Sequence, residues 1–196
     1  MKNNAYHFIT HWRVHSTCEE IASILGEAPG LTRWWPSVYL NVWELEKGDP
    51  ATGLGKIIRL YTKGWLPYTL VWQFQVTEVN HSHGFRLDAW GDFAGRGIWT
   101  FAQDGNAVNI TYDWEITAQK PLLRDYSFLF KPIFAANHEW AMRMGERSLQ
   151  LELARRRAQS PEERARIPAP PGPTFAAFIP RAPKLPPLNS KSRSIA

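Results

Sequence analysis

The chain of 196 residues is 44% hydrophobic, enough for one domain with a core, and its single cysteine, Cys18, excludes an internal disulfide or a cysteine-rich metal site. The formal net charge of +5 is uneven, because residues 1–154 carry 14 Lys and Arg against 16 Asp and Glu, whereas residues 155–196 carry 9 against 2. The segment able to form a core therefore has no positive excess that would attract nucleic acid.

The first predicted elements are a strand and two short helices. Alternating polarity predicts a strand over residues 6–15. Ser16 and Thr17, followed by two glutamates, are typical of a helix N-terminus and predict a helix that ends near Leu25. A second short helix is predicted over residues 29–36, where Pro36 would stop it.

Six extended segments follow, and they are separated by turns rich in Gly, Pro, Asn and Asp. They cover approximately residues 38–46, 54–62, 68–79, 84–91, 96–103 and 106–117. Within them, bulky apolar residues recur at every second position, for example at Leu70, Trp72, Phe74 and Val76. Short connections and this period of two predict an antiparallel sheet with one apolar face.

A long helix is predicted over about residues 121–157. At about 100° per residue, His138 lies in the middle of an apolar sector that would face the sheet, with Asn137 beside it. Ala141 and Gly145 are small where the helix would approach the sheet, which favours empty volume at that point. The order of strand, two helices, six strands and helix indicates an α+β protein.

The residues that follow the predicted long helix differ from the rest of the chain in their high proline content. Nine of the fifteen prolines fall between Pro161 and Pro187, and proline removes backbone donors and favours extended chain. We therefore predict a folded domain over residues 1–157 and a basic, Pro-rich tail over residues 158–196, disordered or loosely docked through Phe175, Phe178 and Ile179. A role of the tail in binding a partner stays open.

Three segments carry a resemblance to a known family. The helix segment 137–146 and the turns at 64–68 and 90–97 resemble those of bacterial polyketide cyclase/dehydrase-type proteins, which belong to the START-like, helix-grip superfamily (SRPBCC). The resemblance covers about residues 5–155. It implies a curved, seven-stranded antiparallel sheet wrapped around the long C-terminal helix, with an apolar cavity between them. Members bind lipids, polyketides, hormones or other hydrophobic molecules, and a minority catalyse reactions.

The candidate site follows from the aromatic face of the sheet. A filled aromatic core is the alternative to a cavity, since such stripes are usually packing. If there is a cavity, His138 is its polar anchor or an acid–base group, and otherwise it is a core histidine bonded to Asn137, Tyr112 or a backbone carbonyl. The predicted ligand-binding residues are Trp35, Tyr39, Trp72, Phe74, Trp99, Tyr112, Trp114, Asn137, His138 and Met142.

The other histidines do not predict a metal site. His81 and His83 lie in a turn without further ligands at a suitable spacing. His7, His11 and His15 recur every four residues, but in a strand that spacing merely places all three on one side. We expect no metal and no cofactor.

Three functions remain open from the sequence. The first is binding or carriage of a small hydrophobic molecule, lipid or polyketide-like, in the cavity. The second is a cyclase/dehydrase-type reaction with His138 as acid or base, and the third is an interaction module that works through the tail. The chain shows no secretory signal and no apolar run long enough to span a membrane, so a cytoplasmic protein is expected.

Overall fold

The computed structural model describes residues 4–119 and 127–184. Its strands are β1 (Ala5–Val14), β2 (Tyr39–Glu46), β3 (Ile57–Lys63), β4 (Thr69–Val79), β5 (Gly84–Gly91), β6 (Phe93–Asp104) and β7 (Ala107–Ala118). Its α-helices are α1 (Cys18–Gly26), α2 (Leu31–Trp34), α3 (Ser127–Arg157) and α4 (Pro161–Arg166). Short 3-10 helices occur at Ala28–Gly30, His81–His83 and Ala176–Phe178.

The element order confirms the predicted α+β fold. All seven strands form one antiparallel sheet in the order β1-β7-β6-β5-β4-β3-β2, and α3 covers its apolar face. Two expectations, the helical start at residues 121–126 and the tail beyond residue 184, lie outside the described residues. No helix in the part of the chain described is both long and apolar enough to cross a membrane.

The core forms where the alternating apolar face of the sheet meets α3. Trp72 and Phe74 on β4 belong to the same buried cluster as Leu149 and Leu153 on α3. The outward face is exposed to solvent, and Trp90 is 39% exposed there. This arrangement is typical of an antiparallel sheet with one covered face.

Helix α1 begins as the sequence predicts. The Thr17 hydroxyl accepts a hydrogen bond from the Glu20 amide (3.3 Å), and the Glu20 carboxylate accepts one from the Thr17 amide (3.1 Å). This reciprocal capping box satisfies two amides that the first turn leaves without partners. The adjacent Cys18 is buried, which raises the pKa of its thiol and fits a packing role.

The two edge strands of the sheet, β1 and β2, differ in what they contact. At the β1 edge, the Arg13 amide donates to the Glu146 carboxylate of α3 (3.1 Å), so the helix closes against this strand. At the other edge, β2 contacts the short helix α2 and, among the described residues, pairs with no further strand. Its pairing with β3 is interrupted by register shifts at Tyr39/Asn41 and at Glu44/Glu46.

The C-terminal end of α3 is held by a buried carboxylate. Glu152 is 1% exposed. It accepts hydrogen bonds from Arg33 of α2 (2.5 Å) and from Arg156 of α3 (2.9 Å). Burial alone would raise the pKa of Glu152, but the two guanidinium groups outweigh it and lower the pKa below its ordinary value. The pairing therefore fixes α3 to the helical segment before β2.

Replacing this carboxylate tests its contribution. We expect Glu152→Gln to lower the free energy of unfolding at pH 7 by about 1–3 kcal/mol, since charge-assisted bonds to two arginines are lost. Because the folded pKa is depressed, the charge stabilises fully above the ordinary carboxyl pKa, and its benefit is lost as the pH falls through the folded value. Urea unfolding at pH 7 and pH 3 should show the variant and the unaltered protein converging, with the exposed Glu139→Gln as control.

The described tail contacts the outer side of β3. The Tyr61 hydroxyl donates to the Pro180 carbonyl (2.9 Å), and the Lys63 ammonium group donates to the Thr174 carbonyl (2.7 Å) and hydroxyl (2.6 Å). Tyr61 and Lys63 alternate with the inward-facing residues of β3, yet they are only 4% and 3% exposed. The boundary between domain and tail at residue 157 stays a prediction, but the tail has defined contacts as far as Pro180.

Candidate functional site

Two chambers lie between the apolar face of the sheet and α3. Chamber 1, of about 150 Å³, is lined mainly by α1, α2, the middle strands and the β4–β5 turn. Chamber 2, of about 160 Å³, is lined by β1, β6, β7, the β3–β4 turn and α3. A cavity of about 150 Å³ is large enough for one benzene ring, so each chamber can hold one ring or a chain of similar size.

Four side chains separate the chambers, because each of them lines both. They are Tyr39, Trp72, Tyr112 and Met142. Trp72 is held in place, since its indole N–H donates to the Thr62 hydroxyl (3.0 Å). Met142 is the flexible member of this group, which we call the septum, because a thioether chain adapts to irregular space. A ligand that reaches from one chamber into the other has to pass it.

The wall on the sheet side is a stack of rings. Tyr112 stacks on Trp99 with centroids 4.0 Å apart, and on Trp114 with centroids 5.5 Å apart. Tyr112 gains room from Gly97 of the neighbouring strand β6, where an added Cβ would come within 2.7 Å of the hydroxyl. These stacked rings project from the strands and form the sheet-side wall of the chambers.

The wall on the helix side depends on Trp35. An added Cβ at Gly145 would come within 2.2 Å of the Trp35 indole, so the ring sits directly on the helix backbone. Trp35 also meets Trp12 edge-on (5.7 Å) and Tyr39 edge-on (5.1 Å). The expectation that Gly145 leaves empty volume is therefore wrong, because Trp35 fills that space. Trp35 is 2% exposed and therefore acts as a wedge between the helix and the sheet.

Two phenol groups are the polar groups of the septum. The described residues supply no hydrogen-bond partner to the hydroxyl of Tyr39 or to that of Tyr112. Burial raises the pKa of both, and for Tyr112 the neighbouring Tyr39 adds to the effect. Both groups are therefore neutral at physiological pH, and each can donate one hydrogen bond and accept others.

His138 lines chamber 2 but is not a charged group there. Its ring stacks on Phe8 with centroids 4.2 Å apart, and its Nε2 is buried with no partner in the described part of the chain. Burial lowers its pKa to about 4. Among the described residues, the expected hydrogen bond from Nε2 to Asn137, Tyr112 or a backbone carbonyl is not formed.

Asn137 instead fixes the β3–β4 turn. Its side-chain oxygen accepts a hydrogen bond from the Leu66 amide (3.1 Å). An added Cβ at Gly64 would lie 2.2 Å from the side-chain oxygen of Asn137, so the turn and α3 are in direct contact. Gly64 and Asn137 both line chamber 2, and their contact closes its wall at this point.

All ten residues predicted from the sequence line a chamber. Trp35, Phe74 and Trp99 line chamber 1, Trp114, Asn137 and His138 line chamber 2, and the four septum residues line both. That they bind a ligand stays a prediction. Sequence reasoning missed Tyr6, Tyr68 and Phe93 in chamber 2, although the alternation around β4 and β6 marks the last two as candidates.

A second cluster lies on the outer face of the sheet. One ligand atom each of His7, Asp113 and Glu115 falls within 4.8 Å of the others. These groups already have partners, because His7 bonds Asp113 (2.9 Å) and Arg96 pairs with Glu115 (3.0 Å). An arginine beside one carboxylate opposes a cation there, so we assign no role to this cluster.

Comparison with known proteins places the fold. No protein-family model matches the chain, and no curated protein matches it. Among solved structures, it is similar to the Zhui aromatase/cyclase from Streptomyces sp. R1128, with 12% identity, a TM-score of 0.62 and coverage of 79% of this chain and 97% of that one. It is also similar to TTHA0849 from Thermus thermophilus, with 13% identity, a TM-score of 0.59 and coverage of 74% and 97%.

The di-domain ARO/CYC StfQ from the steffimycin biosynthetic pathway gives a further match. It shares 12% identity at a TM-score of 0.57, and the match covers 77% of this chain and 52% of that one. At these identities the likeness concerns the fold. The chain therefore has the helix-grip fold that its sequence predicts, and it shares this fold with these aromatase/cyclases.

The close contact between Trp35 and the helix backbone can be tested by adding one methyl group at Gly145. We expect Gly145→Ala to lower the free energy of unfolding by about 1–2 kcal/mol, because overpacking against the indole exceeds the gain in helix propensity. The near-ultraviolet circular dichroism of the tryptophans should change with it. Gly26→Ala is the matched control, since no atom lies within 4 Å of its added Cβ. Equal stability of the two variants would contradict the close contact between the Trp35 indole and the backbone at Gly145.

The burial of His138 predicts a dependence of stability on pH. With a folded pKa of about 4 against an ordinary 6.5, the unfolded chain takes up a proton first as the pH falls. The folded state therefore loses stability between pH 6.5 and pH 4. In His138→Phe, we expect the fall in the free energy of unfolding between pH 7 and pH 4.5, measured by urea unfolding, to be about 2 kcal/mol smaller than in the unaltered protein. The same loss in both proteins would argue against a buried, neutral imidazole.

Proposed function

We infer that the protein binds or carries a small hydrophobic molecule with a hydroxyl or carbonyl group. The observation that carries this inference is the pair of neutral phenols, Tyr39 and Tyr112, which have no partner among the described residues and lie between two aromatic chambers. Both residues line the two chambers, so a ligand in either chamber can approach their hydroxyl groups. A ligand oxygen at the septum supplies the missing bond, and its apolar parts fill the chambers.

The dimensions support a ligand of modest size. Known ligand sites enclose roughly 300–1,000 Å³, and the two chambers together only reach the lower end of that range. Burial against the rings contributes roughly 25 cal/mol per Å² of apolar area. A compound with two ring-sized parts and an oxygen between them is the best match, which includes polyketide-like molecules.

A cyclase-type reaction is the second candidate. It is favoured by the likeness to the Zhui aromatase/cyclase and by the position of His138 in chamber 2. With a pKa of about 4, His138 is neutral at pH 7, so it would act as a weak base and not as an acid. His138→Ala separates the two candidates, because it abolishes turnover in an enzyme and leaves the phenol contacts of a carrier intact.

The first experiment asks whether the cavity is occupied. Native mass spectrometry of the purified protein should show a bound compound, which extraction then identifies. In parallel, ¹⁹F NMR with 4-fluorophenol measures binding of a one-ring probe. Ala22→Phe fills chamber 1 and Ala141→Phe fills chamber 2, so each should weaken binding to its own chamber. No bound compound and no probe binding in the unaltered protein would contradict the proposed function.

The role of the phenols is tested with a matched pair of probes. We expect Tyr39→Phe or Tyr112→Phe to weaken binding of 4-fluorophenol about 2- to 10-fold, the effect of one hydrogen bond. Fluorobenzene lacks the hydroxyl, and its affinity should stay unchanged in the same variants. An equal loss for both probes would show that the variants disturb packing and that the hydroxyls are not anchors.

A further inference from the structure

The β3–β4 turn is held from two sides. On the inner side, the Leu66 amide donates to Asn137 of α3. On the outer side, the Trp65 carbonyl accepts a hydrogen bond from the Thr174 hydroxyl of the tail (3.0 Å). The turn is therefore clamped between the long helix and a residue more than a hundred positions further along the chain.

Thr174 takes part in a relay of hydrogen bonds. The Lys63 ammonium group donates to the Thr174 hydroxyl (2.6 Å), which in turn donates to Trp65. Lys63 is 3% exposed and also lies over the ring of Phe175, with 5.7 Å from Nζ to the ring centroid. Burial lowers the pKa of Lys63, and the partners named here that replace its lost water all come from the tail.

The tail itself is specifically shaped at this point. Phe175 has a φ of 51°, in the left-handed region that a residue with a Cβ rarely adopts. Such a conformation persists only when the surroundings impose it. On the other side of the contact, the Arg155 guanidinium group at the end of α3 donates to the Pro168 carbonyl, which anchors the tail before it reaches the turn.

We propose that the tail is a latch on chamber 2. Gly64 and Asn137 touch and both line this chamber, so separation of the turn from α3 would open a route into it. Thr174 holds the turn in place, and the tail therefore sets the rate at which the wall opens. This regulation rests on the proposed function, because it needs a ligand to admit, but the clamp itself is measurable without one.

Thr174→Val removes the hydroxyl and keeps the backbone carbonyl bonded to Lys63. Hydrogen exchange at the amides of Gly64, Trp65, Leu66 and Tyr68 should become about 2- to 10-fold faster, as expected for the loss of one hydrogen bond. The rates of association and dissociation of 4-fluorophenol, from ¹⁹F line shapes, should rise by a similar factor. Its Kd should stay within about twofold, because the closed turn is the same with and without ligand.

Phe178→Ser is the matched control, since this tail residue is 80% exposed, and it should change neither exchange nor probe rates. Unchanged exchange in Thr174→Val would overturn the latch, whatever the protein binds. Faster exchange with unchanged probe rates would overturn it too, because the clamp would then not control entry. Faster exchange in a protein that binds no probe would refute the proposed function and, with it, the gating role, while leaving the clamp as a structural contact.

Discussion

The contact between Trp35 and the backbone of α3 determines the spacing of the two layers. At Gly145 the helix has no side chain, and the indole occupies the position that a Cβ would take. The same ring meets β1 through Trp12 and β2 through Tyr39. A single wide side chain thereby keeps the helix at a distance from the sheet, and it supports Tyr39 in the middle of the space that remains. Tyr39, which this wedge contacts, is one of the four side chains that separate the two chambers.

The interior contains polar groups that have no partner among the described residues. Trp72 has a protein partner in Thr62 and serves as wall, whereas Tyr39 and Tyr112 have none among the described residues. Protein cores normally satisfy such groups, and sites that depart from local rules are often functional. The imidazole of His138 stacks on Phe8, is also neutral, and its Nε2 likewise has no partner among the described residues. His138 lines chamber 2, whereas the two phenols line both chambers.

The sequence predicts the fold well because period-two alternation, turn residues and the capping signal at Thr17 are local. It also predicts the residues that line the space, since an inward face of a strand is a property of the pattern. It does not predict what occupies the gap at Gly145, because the indole comes from a segment 110 positions away. The path of the tail is equally hidden, since its contacts run largely through backbone carbonyls at Thr174 and Pro180, which any residue could supply.

The open β2 edge has a consequence for the protein in concentrated solution. An unpaired strand offers its amides and carbonyls to any other strand, and this is a route to aggregation. Here the interruptions at Tyr39/Asn41 and Glu44/Glu46 break the regular spacing that a second strand would need. The two glutamates add like charges that repel a second copy of the same edge. The β2 edge is therefore a poor template for pairing with a second copy of the chain.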